Sequence, residues 1–149
     1  MVNIGKIQRK AYMSYLKGNL IVAKCISRYL RIIYSCDISY KADVDPTDNF
    51  SHLGLGTVVG SGTKIGANTK ILQNVSIGGR GNHRGPNGEA MPTIGHDVLV
   101  GAGACILGPI TVGDNATIGA NAVVLKDVPD NAVVVGNPAH EIKRTNIDE

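Results

Sequence analysis

The 149-residue chain has no tryptophan and a single phenylalanine, although 43% of it is apolar and 19 positions are glycine. A globular core of this size usually carries more aromatic bulk. The shortage excludes a core filled by large rings and points to tightly turning backbone packed with small aliphatics. Cysteine is scarce as well: Cys25, Cys36 and Cys105 are odd in number and form no CxxC pair. That excludes a disulfide framework and any zinc-like spacing, so no metal is expected and a reducing, cytoplasmic setting is. Long hydrophobic runs are missing too. The longest near the N-terminus, LIVAKCISRYLRIIY, is broken by Lys24, Arg28 and Arg31, and MVNIGKIQRKAY holds no signal-peptide core. The expectation is a chain that neither crosses a membrane nor is exported.

Acidic residues are absent from the first 36 positions, where Lys6, Arg9, Lys10, Lys17, Lys24, Arg28 and Arg31 all lie, and the net charge of +3 hides this asymmetry. Such a segment reads either as a helical cap with solvated cations or as a basic amphipathic surface that touches anionic lipid. Nucleic acid is not among the expected partners.

What the chain has in abundance is periodicity. From Val59 an aliphatic residue returns at every sixth position, through Ile65, Ile71 and Ile77, and again through Ile94, Val100, Ile106, Val112, Ile118 and Val124. A period of six belongs neither to a helix nor to a simple strand, so each row must be a short strand plus a turn. Three rows then close one triangular coil, with each head stacked on the head three rows later at roughly 4.8 Å, the spacing of paired strands. Small or polar residues suit the corners. The fifth position of each row, as in Thr63, Thr69, Ala104, Ala116 and Ala122, is small because it too faces the narrow interior.

Ile94 lies seventeen positions after Ile77, one short of three rows, so the intervening GGRGNHRGPNGEAMPT must leave the coil as a loop. Such an excursion should border a functional site. Two amphipathic helices, over residues 3–17 and 19–35 with a break near Gly18, are expected to cap the first coil. The layout is thus a helical cap over 1–36, a β-helix over 37–139 with a loop over 80–92, and a tail over 140–149.

The segments ILQNVSIGG, GAGACILGPITVGDNATIGANAVVLKDVP and VGNPA, within Asp37 to Ile142, resemble the catalytic domain of bacterial serine acetyltransferases and of their short relatives that acetylate capsule or colanic-acid-type polysaccharides. The resemblance implies an all-β, left-handed parallel β-helix with a short α-helical N-terminal cap, acetyl-CoA as co-substrate, and a homotrimer with active sites between subunits. It also implies roles. Asp37 and His52 stand at the family's fifteen-residue spacing, His52 as general base and Asp37 as the group that orients it. Gly79, Ala102 and Ala120 match the small positions along which the pantetheine runs, a backbone N–H near Gly79 would stabilise the oxyanion, and Lys126, with Lys143 or Arg144, would meet the phosphates. His83 and Arg84, in the loop, are candidates for acceptor contacts from a neighbouring subunit. His96 and His140 read as structural.

The chain departs from the family pattern at informative places. HLGLGTVVG holds one extra residue, so alignment from the downstream side would put Leu53 where the upstream spacing puts His52. Ser51 replaces the family's Asp before the histidine, Ala90-Met91-Pro92 replaces an Arg-His-Pro, and the loop is about three residues longer. These losses favour a sugar or polysaccharide-precursor hydroxyl as acceptor, with L-serine the alternative. A non-catalytic scaffold is the contrasting possibility, since fold does not establish activity.

Overall fold

The computed structural model describes residues 2–142. Among the described residues two helices, α1 (Ile4–Leu16) and α2 (Leu20–Tyr34), precede fifteen short strands arranged as three sheets, parallel throughout except for the last strand pair. The first face stacks β1 (Asp37–Ile38), β4 (Val58–Val59), β7 (Ser76–Gly78), β10 (Cys105–Leu107) and β13 (Val123–Val124). The second holds β2 (Asp43–Val44), β5 (Lys64–Ile65), β8 (Thr93–Ile94) and β11 (Thr111–Val112). The third holds β3 (Asn49–Phe50), β6 (Lys70–Ile71), β9 (Leu99–Val100), β12 (Thr117–Ile118), β14 (Val133–Val135) and β15 (His140–Ile142). From β1 to β13 each strand moves to the next face, so the chain winds as a three-sided β-helix.

The register is the one the six-residue period predicts. Val59 lies against Ile77, Ile65 against Ile94, Ile77 against Ile106, and Ile106 against Val124, each a parallel pair. The coil begins earlier than the periodicity reveals, because Ile38, Val44 and Phe50 supply a first turn in the same stack. Near the end the rows tighten: Val128, four residues after Val124, already occupies the second face opposite Val112. Corners are made at the fourth position of the row. Asn68, Asn74, Asp97, Asn115 and Asn121 all have φ between 56° and 60°, and Gly62 and Gly103 take the same left-handed place. Asn, Asp and Gly bear that conformation most cheaply. The fifth position points inward as expected: Thr63 and Thr69 are both buried, and Thr69 Oγ1 donates to the Gly95 carbonyl at 3.1 Å, while Thr63 Oγ1 has no partner among the described residues.

The cap solves an edge problem. Strands of the first coil have neighbours on one side only, leaving carbonyls that would otherwise face the helices unpaired. Gln8, buried on α1, donates through Nε2 to Ser39 O at 2.8 Å and Ala42 O at 3.3 Å, and Ser27 Oγ on α2 donates to Ile38 O at 3.0 Å. Ile4 and Leu30 complete the plug by joining the aliphatic core. Both helices start on asparagine caps: Asn3 accepts from the Lys6 N–H and Asn19 from the Val22 N–H. The break between them falls where expected, with Gly18 at φ 79°. At the other end the tail is an extension, β15, antiparallel to β14. The part of the tail over 143–149 lies outside the described residues.

One inward position is out of keeping. Asp48 occupies the fifth place of its row and is fully buried; its Oδ1 accepts from the Thr69 N–H at 2.9 Å, while Oδ2 has no partner among the described residues. Burial pushes its carboxyl up to about 7, and the nearby Asp45 carboxylate pushes the same way. The folded state therefore holds a proton that an unfolded aspartate releases near pH 4. Stability from this site is full below that pH and is lost as pH rises towards and through 7. Asp48→Asn should flatten the decline in thermal midpoint between pH 5 and 8 and raise the midpoint at pH 8, measured by differential scanning calorimetry. In the same assay at fixed pH, Ile106→Ala, which opens a cavity at a fully buried stack position, should cost about 2–5 kcal/mol.

Candidate active site

Two insertions into the six-residue rows lie at corners on either side of the first face. The upstream one runs between the successive heads Phe50 and Val59, where a single helical turn of the tighter type spans Ser51–Gly54. His52 and Leu53 both adopt left-handed backbone, φ 53° and 57°, and both are exposed. The extra residue is thus absorbed by an outward bulge, and the two competing positions for the histidine are neighbours on it. The bulge is clamped to the strand start that carries Asp37. Gly54 is buried so tightly against Cys36 that a Cβ would lie 2.6 Å from its Sγ, and the Gly56 N–H donates to Ser35 O at 2.9 Å.

The structure therefore brings His52 and Asp37 to one corner but does not join them: no hydrogen bond links the two, and the Asp37 carboxylate lies 3.6 Å from Arg31 Nη1 on α2. Spacing along the coil fixes which corner a residue reaches, whereas the side-chain partner is set by what packs over the corner, here α2.

The downstream departure is the loop between Gly78 and Thr93. Gly79 leads into it, and Arg80 follows with its stem against Gly108. His83 and Arg84 are exposed and bind the loop's own backbone: the His83 Nδ1–H donates to Arg80 O at 2.9 Å and Arg84 Nη1 to His83 O at 2.9 Å. Nothing ties either of them to His52. Returning to the coil, Ala90 and Met91 fold over Gly79, and Met91 also covers Gly60, where any Cβ would run into its methyl group. The position where the resembled family has a histidine is thus an apolar lid on a glycine surface.

The small residues expected along the donor path do not share one corner. Ala102 and Ala120 are stacked at the corner between the third and first faces, where the Asn121 N–H donates to Ala102 O at 2.9 Å. Gly79 lies at the corner between the first and second faces. The separation follows from the row register, since Gly79 follows a first-face strand and the alanines precede one. Lys126 lines a cavity of about 400 Å³ with Leu125, Pro129, Val134, Pro138 and Arg80. Arg80 is a cation that sequence reading missed; its signal was adjacency to Gly79. Lys143 and Arg144 lie outside the described residues.

His96 Nδ1 accepts from the Ala67 N–H at 3.0 Å, which ties two stacked corners together, and His140 lies in β15. Cys36 is fully buried, and burial together with the Asp37 charge pushes its thiol up to about 12. Such a thiol is no nucleophile.

Residues 91–126 match the family described as bacterial transferase hexapeptide (six repeats). The chain is 40% identical over 134 residues to the serine acetyltransferase of Staphylococcus xylosus, covering 90% of itself and 60% of that protein. Among solved structures it superposes on the serine acetyltransferase of Brucella abortus strain S19 in complex with coenzyme A with TM-score 0.84 and 36% identity, over 94% of itself and 54% of that chain. It superposes on the Neisseria gonorrhoeae enzyme in complex with serine with TM-score 0.82 and 34% identity, over 92% of itself and 54% of that chain. The chain is a serine-acetyltransferase-like hexapeptide-repeat protein. Its β-helix is accordingly left-handed. This hexapeptide-repeat chain spans about three-fifths of the length of the curated relatives it matches, with 60% for the Staphylococcus xylosus protein and 57% for another.

The accessible surface of the three thiols separates them cleanly. An aromatic disulfide reagent at pH 8 should label exposed Cys25 within seconds to minutes, half-buried Cys105 more slowly, and Cys36 only after unfolding by denaturant, read as released thiolate absorbance.

Proposed function

We propose that this chain transfers the acetyl group of acetyl-CoA to a hydroxyl of a small acceptor, with L-serine or a compound of similar size in that place. The observation that carries the reading is an exposed histidine on a bulged corner, clamped beside the strand start of Asp37, in a chain 36% identical to an acetyltransferase bound to coenzyme A. The named relatives are serine acetyltransferases, one of them in complex with serine, and they favour serine over the sugar acceptor that the sequence departures suggested. The sugar reading keeps one specific support: Ala90 and Met91 present no charge where the family pattern has Arg and His.

In this proposal acetyl-CoA supplies the acetyl group as an activated thioester. His52 accepts the proton of the acceptor hydroxyl, whose oxygen then bonds to the acetyl carbon as the carbon–sulfur bond breaks. Asp37 orients and stabilises the imidazolium once a rotation away from Arg31 brings it to the ring. Gly79, Ala102 and Ala120 let the donor approach the backbone, and Lys126 with Arg80 offers charge to its phosphates. His83 and Arg84 act on the acceptor side from the loop.

The proposal includes a homotrimer, supported by aliphatic side chains exposed around the His52 corner: Leu53, Leu55 and Val58 at 40%, 51% and 45%. It also includes contact of the N-terminal helices with an anionic membrane surface, supported by Ile21, Ile32 and Ile33 exposed on α2. Among the described residues no helix is long and apolar enough to cross a membrane.

Release of free coenzyme A, followed with a thiol reagent in the presence of L-serine, neutral sugars and oligosaccharides, tests the reading. His52→Ala should lower turnover by about 10² to 10⁴ while the mass from light scattering stays that of wild type. Near-wild-type turnover in that variant would remove His52 from the reaction.

A further inference from the structure

The cap carries charge that capping does not require. Lys24, Arg28 and Arg31 recur at i, i+4 and i+7, which places them on one stripe of α2. Like charges at this spacing repel each other and weaken the helix that bears them. The stripe is not spread over open surface. Together with Ser27, Asp37 and Tyr40 it walls a depression of about 220 Å³ between α2 and the first strand. Among the described residues one carboxylate enters this depression, Asp37, at 3.6 Å from Arg31. Among the described residues neither Lys24 nor Arg28 has a carboxylate within 4.0 Å. Three cations against one anion leave the depression positive, and Ser27 is already spent on the Ile38 carbonyl.

The location gives this charge a use. The depression opens at Asp37, one residue beyond the Cys36 on which the His52 bulge is seated. The bulge and the depression thus meet on consecutive residues, Cys36 and Asp37, at the start of the first strand. On the loop side, Ala90 and Met91 offer no cation. We propose that the depression walled by Lys24, Arg28 and Arg31 binds an anionic group, a carboxylate or a phosphate, carried by the hydroxyl-bearing acceptor, and so selects charged acceptors over neutral ones. This rests on the acetyl-transfer reading above. Arginine fits either anion with two parallel N–H donors, and lysine adds a point charge.

The test uses the full chain, acetyl-CoA, and three acceptors: L-serine, glucose 1-phosphate and glucose. Lys24→Gln and Arg28→Gln should each raise the KM of the anionic acceptor by about tenfold or more, the loss expected for one charge-assisted contact, and leave the KM of acetyl-CoA unchanged. Arg28→Lys should recover part of the loss. A response confined to L-serine identifies the carboxylate, and one confined to glucose 1-phosphate the phosphate. Inorganic phosphate should compete with the acceptor and not with acetyl-CoA. Glucose turned over as efficiently as its phosphate with both variants unchanged, or phosphate competing only with acetyl-CoA, would overturn the proposal. If no acceptor releases coenzyme A, the acetyl-transfer reading falls, and calorimetric titration of inorganic phosphate decides the depression by itself. Binding weakened about tenfold in Arg28→Gln sustains it, and binding that is absent or unchanged sinks it.

Discussion

The rest of the molecule depends on the hydrogen-bonded stacking of each coil on the next. A two-residue strand cannot hold itself; it exists because Gly66 N–H meets Ile94 O, Gly95 N–H meets Val112 O and Gly101 N–H meets Ile118 O at 2.8–2.9 Å, coil after coil. Each such contact brings an aliphatic head over another, and burying one contributes about 1.5–3 kcal/mol. From this follow the narrow interior, the small or threonine fifth positions, and the left-handed corners. The absence of tryptophan follows as well, since a triangular coil one side chain wide has no room for it.

Stacking also dictates where the chain can depart from its period. An insertion within a strand would break its ladders to the coils above and below, whereas an insertion at a corner breaks none. Both insertions are at corners, the bulge over Ser51–Gly54 and the loop between Gly78 and Thr93, and they flank the same face. Chemistry-bearing residues therefore collect at these edges while the faces stay regular. The bulge is held by a glycine with no room for a side chain against Cys36, so His52 is exposed without being loose.

The N-terminal helices serve two needs at once. Gln8 and Ser27 reach down to the carbonyls of the first coil, which a solenoid must cover at its end, and Ile4 and Leu30 close the core. The same docking swings the cation stripe of α2 towards Asp37, so a residue assigned to the catalytic corner is also a neighbour of the cap. A solenoid without the cap would leave that corner electrostatically bare.

The amino-acid sequence by itself determined the fold, because a six-residue period is a statement about geometry: Ile94, Ile106 and Ile118 could only stack, and all three are buried. It also determined the helices, their break at Gly18 and the loop after Gly78, each announced by local turn or capping chemistry. The first coil went unread in the periodicity because the bulge at Ser51–Gly54 interrupts the count between Phe50 and Val59. Only the tertiary structure decided who meets whom across space. It turned Asp37 towards Arg31, divided Gly79 from Ala102 and Ala120, brought Arg80 to the cavity of Lys126, and buried Asp48 with one oxygen unpartnered. The physical reason is one of range: periodicity and propensity act over a few residues, whereas side-chain partners and burial are set by elements that are distant in sequence and adjacent only once the coils have stacked.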